Sequence, residues 1–304
     1  SHHYFFVGYS NEYKREWYAW GMKTEWMGKG AGRYLMWGLV AAVVVLAGVF
    51  VWAYVDYDPD SAGESASLEG CNVVGITVHG CILTYAPAAD EGASEVPEGC
   101  DAMTVSEEVM NVLDRASMEE DIRIVLLDID SPGGQPQAAV EIESALKASG
   151  IPSVAWIRGY GNSAAYWVAS AADTIIASKE SDIGSIGVTA SYLDNAKQNA
   201  DQGLTYNSIS TGKYKDAGSP DKSLTADERA LLEKSNRTTL ENFIGTIATN
   251  RELSIEKVRA LADGSSWLGE EALSLGLIDK LGTYPEVLAL LRERLQEEPV
   301  ICWQ

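Results

Sequence analysis

Short apolar runs alternate along the chain with longer segments of helical periodicity. The run IRIVLLDID at 122–130 is almost continuously apolar, as in a strand that is covered on both faces. Other β-rich runs are NVVGITVHG, PSVAWIRG and TIIASK, and helical patterns occupy 104–118, AAVEIESALKASG and SAAYWVASAA. This order predicts βαβ crossovers and a parallel sheet, hence an α/β domain. The pattern after Thr225 predicts a mostly helical C-terminal part.

One apolar run is longer than any core element requires. Residues 34–55 contain 22 residues without a charge, and a helix of that length reaches about 33 Å, enough to cross a bilayer core. A buried core helix would normally keep a polar stripe over this length. A cleavable signal peptide has a shorter apolar run that begins nearer the N-terminus. The sequence therefore predicts one permanent transmembrane helix.

The flanks of this run differ in charge. Residues 1–33 carry five Lys and Arg against three Glu, whereas the other side opens with Asp56, Asp58 and Asp60. Positive residues stay on the cytoplasmic side of a membrane. We therefore expect a cytoplasmic segment 1–33, a small and polar linker over 56–70, and an extracytoplasmic domain over 71–304.

The overall charge and the cysteines fit such a compartment. A net charge of −21 argues against a nucleic-acid partner, because an acidic surface repels phosphate backbones. Outside the cytoplasm four cysteines are expected to form disulfides, and three pairings are possible. We favour Cys81–Cys100, which would close a polar loop. The ligand set of a usual zinc site is missing, and no metal or cofactor is expected.

Two strand ends are candidates for chemistry, because sites in α/β sheets gather at the carboxyl edge. The first is the SPGG stretch, Ser131 to Gly134, whose glycines let backbone N–H groups approach a ligand. An ordinary strand-to-helix turn explains a bare SPGG equally well. The second is GYGNSAAY, where Ser163 begins a helix made of small residues. Ser163 is either a simple N-cap or a nucleophile.

A serine nucleophile needs a base. His79 is the only histidine beyond the first three residues, so a Ser-His-Asp triad would have to use it. A neutral lysine is the main remaining base. GKYKDAGSP offers Lys213 and Lys215, which would lie on one face if the segment is extended.

Four stretches, taken together and in order, resemble a known family: DSPGG, GNSAAYWVASAADTIIASKESDIGSIGV, GKYKDAGSP and WLGEEALSLGLIDKLG. Their order and spacing are similar to those of the signal peptide peptidase A family. These are membrane-anchored Ser-Lys peptidases with a Clp-protease and crotonase-like α/β fold. The resemblance covers roughly 72–291.

The resemblance implies a role for each matching residue. Ser163 corresponds to the nucleophile, Lys215 to the general base, and Ser185 to the serine that hydrogen-bonds the lysine amine. The SPGG turn corresponds to the oxyanion loop, with the N–H of Gly134, or else of Gly133, as one donor and the N–H of Ala164 as the second. Family members commonly have glycines after the nucleophile, where this chain has Ala164 and Ala165. Alanine keeps the N–H, so the departure leaves activity possible.

The resemblance also implies partners. The expected activity is endopeptidase cleavage of remnant signal peptides and other short unfolded peptides at the outer face of the membrane. Some relatives carry two copies of the domain that supply the serine and the lysine separately, whereas this chain has one copy. A ring-shaped homo-oligomer is therefore expected, in which Ser163 of one subunit meets Lys215 of a neighbour.

Two other classes of function compete with this interpretation. A catalytically silent scaffold could keep the same fold for assembly at the membrane. A crotonase-type acyl-CoA enzyme shares the oxyanion turn, but it is expected in the cytosol, and the predicted membrane anchor argues against it.

Overall fold

The computed structural model describes residues 67–86, 100 and 102–304. These residues belong to the unit Ser65–Gln304. Within the described ranges, no helix combines the length and the hydropathy that a membrane crossing requires. The predicted cytoplasmic segment 1–33, the predicted transmembrane segment 34–55 and most of the predicted linker 56–70 lie outside these ranges.

The described residues alternate between strands and helices in the predicted order. The strands are β1 (Val73–Leu83), β2 (Met103–Val105), β3 (Ile124–Gly134), β4 (Ser153–Asn162), β5 (Thr174–Ala177), β6 (Asp182–Gly184), β7 (Ser266–Leu268), β8 (Lys280–Leu281) and β9 (Ile301–Trp303). The helices are α1 (Ser106–Met118), α2 (Pro136–Ser149), α3 (Ala164–Ser170), α4 (Ala196–Asp201), α5 (Ala226–Asn250), α6 (Ile255–Leu261), α7 (Gly269–Leu275) and α8 (Tyr284–Leu295).

The nine strands of the described ranges form one sheet whose main path is β2-β1-β3-β4-β5-β8. Every neighbouring pair on this path is parallel. At the margins, β9 adds to β1 in parallel, and β6 pairs with β4 in parallel and with β7 in antiparallel orientation. The predicted α/β class with a parallel sheet is confirmed.

The central strand β3 is covered on both faces, as its continuous apolar run predicts. Val125, Leu127 and Ile129 point to one side, where helices α1, α2, α3 and α5 build the larger apolar core. Ile124 and Leu126 point to the other side and pack with α8. Because both faces exclude water at this point, the strand has no place for the alternating polar residues of a half-exposed sheet.

Several details differ from the sequence-based expectations. The C-terminal part is helical from Ala226, but it also contributes the short strands β7, β8 and β9, whose two or three residues are too few for a periodic signal. The segment around Lys213 and Lys215 is a series of turns, so the condition under which the two lysines would share one face, an extended backbone, is not met. Backbone bonds such as Lys215 N–H to the Gly212 carbonyl replace sheet pairing there.

Both pairs of cysteines are joined. The Cys81–Cys100 disulfide confirms the favoured pairing. The second disulfide joins Cys71, just before β1, to Cys302 in β9, across 231 positions of sequence. It stabilises the point where the last described strand pairs with β1, as in the pair Val73 and Ile301.

Candidate active site

Ser163 occupies an unusual backbone conformation at the carboxyl end of β4. Its φ of 53° and ψ of −122° lie in a region that residues with a Cβ rarely adopt. Its amide N–H donates a 2.8 Å hydrogen bond to the carbonyl of Gly184, and its carbonyl accepts from the amide of Trp167 in α3. A strained serine between a strand and a helix is the arrangement that exposes a nucleophilic hydroxyl in several hydrolases.

The side chain of Ser163 is not used as a helix cap. Ser163 stands at the N-cap position of α3, but its hydroxyl accepts no capping hydrogen bond. The simple N-cap interpretation is therefore wrong. All seven residues of α3 are buried, which explains why the sequence uses small residues such as Ala164 and Ala165 at its start.

The SPGG stretch forms the last residues of β3 and packs directly against this serine. Gly133 has a φ of 113°, and a Cβ at this position would stand 2.8 Å from the Cβ of Ser163 and 3.1 Å from the amide nitrogen of Ala164. Only glycine fits such a conformation at such a distance. The close approach brings the backbone of β3 beside the residue that begins α3.

The two glycines differ in what their N–H groups face. The N–H of Gly133 donates to the hydroxyl of Ser131 at 3.1 Å. The N–H of Gln135 donates to the carbonyl of Ile82 in β1 at 2.8 Å. Gly134, unlike Gly133, is among the described residues that line the cleft beside Ser163. The cleft lining and the hydrogen bond from Gly133 to Ser131 favour Gly134 over Gly133 as a donor to a ligand.

A cleft of about 480 Å³ opens beside Ser163. Its lining includes Gly134, Ala164 and Ser185, which the sequence analysis selected. Ser185 follows Gly184, has a φ of 48°, and donates its amide N–H to the carbonyl of Ser265 at 2.8 Å. The hydrogen bond from Ser163 to Gly184 ties the two serines to one another through the backbone.

The apolar wall of the cleft was not predicted. Trp167 stacks on Phe243 at 4.6 Å between ring centroids, and both line the cleft. The indole N–H of Trp167 donates a 2.6 Å hydrogen bond to Glu143, which also accepts from Lys147 and Asn250. Trp167 lies one helical turn after Ser163, so its place was readable from the sequence. Phe243 comes from α5, and no local pattern links it to the serine.

The Lys215 side chain is exposed in the single chain, and Lys215 is not among the described residues that line the cleft with Ser163 and Ser185. Lys213 is engaged elsewhere: its amine pairs with Asp227 at 2.6 Å, and that hydrogen bond raises the pKa of Lys213. Lys215 has no hydrogen-bond or ion-pair partner for its amine within the described part of the chain.

His79 does not complete a triad with Ser163. Its Nε2 lies 3.5 Å from Asp128 Oδ2, which also accepts a 2.7 Å hydrogen bond from Arg158. Burial raises the pKa of Asp128, while Arg158 and His79 oppose the shift. His79 is absent from the described lining of the cleft, and the same described residues contain no group of three His, Cys, Asp or Glu side chains placed to bind a metal ion.

A comparison with models of protein families identifies the family of this chain. The model of peptidase family S49 matches residues 145–297, which carry Ser163, Ser185 and Lys215. The chain belongs to peptidase family S49. The match covers half of the chain and includes the strained serine, the apolar wall and the lysine turn.

Individual relatives of this S49 member carry protease names. A protein of Methanocaldococcus jannaschii, provisionally named as a protease, is 34% identical over 60% of this chain and 60% of its own. The chloroplastic serine protease SPPA of Arabidopsis thaliana is 29% identical over 62% of this chain and 28% of its own. Protease 4 of Salmonella typhi is 26% identical over 69% and 34%, respectively. The matches span between about a quarter and three fifths of these relatives' lengths.

Among solved structures, a ClpP1 mutant from Listeria monocytogenes is similar to the S49 chain with a TM-score of 0.43 and 13% identity, over 70% of this chain and 92% of its own. That score is too low to assign the fold. The α/β class with its parallel sheet is observed directly, and the Clp-protease and crotonase-like assignment stays a prediction.

Proposed function

We propose that the chain is a serine endopeptidase in which Ser163 and Lys215 form the catalytic dyad. The observation that carries the proposal is the strained backbone of Ser163, whose hydroxyl caps no helix and faces a cleft. A structural serine has no need of that conformation, which costs on the order of 1–3 kcal/mol. Membership of a peptidase family supports the same conclusion.

The surrounding backbone suits acyl transfer. Ser163 Oγ attacks the scissile carbonyl, and the negative charge that develops on the carbonyl oxygen is stabilised by the N–H groups of Gly134 and Ala164. Lys215 Nζ takes the proton of Ser163 and returns it to the leaving amine. Water then hydrolyses the acyl-enzyme. Ser185, which lines the same cleft, orients the lysine amine.

The proposed base must be neutral to act, and burial in an apolar environment favours the neutral amine. In the single chain Lys215 is exposed and unpartnered within the described residues, so another surface has to cover it. We propose that this surface is a second copy of the chain, whose Ser163 then receives Lys215. The dyad would be shared around a ring of identical subunits.

The segment that carries Lys215 supports this arrangement. The region 189–224 exposes large apolar side chains, which a monomer would normally bury: Leu193, Leu204, Tyr206, Ile209 and Tyr214. Its helix α4 buries no residue against the rest of the chain. A neighbouring subunit would cover this apolar surface and bring the lysine to a cleft.

We further propose that a helix over 34–55 anchors the enzyme in a membrane and that residues 71–304 lie outside the cytoplasm. Both disulfides support an oxidising compartment. The expected substrates are remnant signal peptides and other short unfolded peptides. A membrane-impermeant maleimide applied to intact cells tests the topology: the cysteines should react only after reduction, and absence of labelling after reduction would contradict it.

A catalytically silent scaffold is the second candidate, because Ala164 and Ala165 replace the glycines that family members commonly have. A serine-directed phosphonate or β-lactam probe separates the two. A peptidase should be labelled at Ser163, as mapped by mass spectrometry, and labelling should disappear in Ser163→Ala but not in the matched surface variant Ser274→Ala. A folded, assembled protein that no such probe labels would favour the scaffold.

A further inference from the structure

The cleft beside Ser163 combines apolar walls with one charged side chain. Trp167, Leu240, Phe243 and Val188 supply apolar surface. Asp263 is the only ionisable residue among the described residues that line the cleft. A single carboxylate in an otherwise uncharged cleft discriminates between cationic, neutral and anionic side chains that enter it.

The position of Asp263 is fixed by its own turn. Oδ1 accepts the amide N–H of Ser265 at 2.9 Å and the Ser265 hydroxyl at 2.5 Å. The hydrogen bond from the Ser265 hydroxyl has the larger effect and that from the Ser265 amide the smaller, and both lower the pKa of Asp263. The carboxylate is therefore charged at neutral pH. No hydrogen bond occupies its second oxygen within the described part of the chain. The carboxylate therefore presents a fixed negative charge.

The same turn is joined to the segment that carries Ser185. The amide of Gly264 donates to the carbonyl of Ile186 at 3.2 Å, and the amide of Ser185 donates to the carbonyl of Ser265 at 2.8 Å. These bonds continue the antiparallel pairing of β6 and β7, in which Gly184 lies opposite Ser266. Asp263 thus belongs to the same ribbon as Ser185, the proposed positioning residue, and is held at the cleft.

We propose that this cleft selects a lysine or arginine side chain of the peptide, with Asp263 as the specificity-determining residue. The inference rests on the proposed function, and it adds the substrate class. Lysine and arginine have an aliphatic stem that packs on apolar walls and a cationic head that stays at a polar edge. The stem would contact Trp167 and Phe243, and the head would meet Asp263.

The charge of the whole chain acts in the same direction. A net charge of −21 attracts cationic peptides and repels acidic ones before any contact forms. This long-range attraction does not depend on where the cation lies in the peptide, whereas pairing with Asp263 requires one position. Scanning a single lysine along a peptide separates the two effects.

The test uses peptide pairs that differ only by lysine or norleucine at one scanned position, because norleucine keeps the stem and loses the charge. With the parent enzyme, lysine at one position should raise kcat/KM over norleucine by up to about fivefold, the upper end of the range for an exposed ion pair. Asp263→Asn should abolish this preference while its amide oxygen still accepts from Ser265. Asp263→Lys should reverse it, so that the norleucine peptide is preferred over the lysine peptide. Glu256→Gln, which removes one charge outside the cleft lining, should keep it.

A second readout makes the outcome independent of catalysis. Ser163→Ala should bind the fluorescently labelled lysine peptide more tightly than the norleucine peptide, and adding Asp263→Asn should remove the difference. Cleavage failure with this binding difference intact would contradict the proposed function alone. Equal binding or equal cleavage of both peptides by the parent would overturn the selectivity. A preference for lysine that survives in Asp263→Asn would also overturn it. A pH profile that Asp263→Asn shifts equally for both peptides would overturn it too, because Asp263 would then act on the lysine base and not on the substrate.

Discussion

The amide of Ser163 donates a 2.8 Å hydrogen bond to the carbonyl of Gly184, the residue that precedes Ser185. This bond joins the end of β4 to the end of β6, and both serines adjoin it with positive φ, 53° and 48°. Two strained residues held by one backbone bond form a rigid frame around the cleft. Lys215 is not part of this frame, and it is not among the described residues that line the cleft.

Replacing Ser163 with alanine should abolish peptide cleavage, by about a thousandfold or more, because only backbone stabilisation and binding remain. The fold should persist, since the hydroxyl caps no helix and alanine meets the same backbone strain as serine. Cleavage of an unstructured reporter peptide and the urea midpoint measure the two effects. Appreciable cleavage by the purified, folded variant would mean that another residue is the nucleophile.

The two lysines should respond differently. Lys215→Arg should be as inactive as Lys215→Ala, because a guanidinium does not lose its proton in a protein and cannot act as a base. Lys213→Ala should keep most activity, since the Lys213 amine is already paired with Asp227 on the surface. Initial rates of the three variants, with oligomer size checked by light scattering, test the assignment. Full activity in Lys215→Arg would exclude a lysine base at this position.

The sequence predicted the parts of the site that depend on local order. The strand ends that carry Ser163 and the SPGG stretch follow apolar runs, and glycine at 133 is required by a positive φ. The apolar wall was missed because Trp167 and Phe243 meet across α3 and α5, and a contact between distant helices leaves no periodic trace.

In the fold, too, elements with a local sequence pattern were predicted and elements that depend on distant contacts were not. The long elements β1, β3 and α2 were predicted, since each is long enough for a hydrophobic pattern. Short strands such as β8 were not, because their pairing depends on the sheet edge that they reach. The turn around Lys215 was not predicted, and its backbone bonds are local.

The stability of the apolar wall of the cleft should depend on Glu143. Glu143→Ala should lower the free energy of unfolding by about 2–3 kcal/mol, because the buried indole N–H of Trp167 loses its charged acceptor. Lys147→Ala removes a half-exposed ion pair to the same carboxylate and an exposed hydrogen bond to Asn250, and should cost less than about 1 kcal/mol. Urea unfolding followed by tryptophan fluorescence compares them. Equal losses would show that Trp167 does not depend on Glu143.

Acid should loosen the start of α5. The hydrogen bond from Lys222 lowers the pKa of Glu228 to about 2, from an ordinary 4.5, and the bond to the Thr225 backbone adds to it. A lowered pKa in the folded state contributes stability that is complete above pH 4.5 and is lost as the pH falls toward 2. The stability difference between parent and Glu228→Gln should therefore shrink over that window. A difference that is constant from pH 6 to 2.5 would contradict the linkage.

The last prediction concerns the shared dyad, and it follows from the absence of Lys215 from the described lining of the cleft. Ser163→Ala and Lys215→Ala subunits should each be inactive alone. In mixed oligomers, an intact serine meets an intact lysine at about one quarter of the interfaces if the subunits assemble at random in a closed ring. Co-expressed subunits with two different tags, purified over both tags, should therefore regain part of the parent activity. Two differently tagged Ser163→Ala subunits provide the matched control and should regain none. A verified mixed oligomer without activity would mean that each subunit completes its own dyad, with Lys215 reaching Ser163 through a movement of the 189–224 segment.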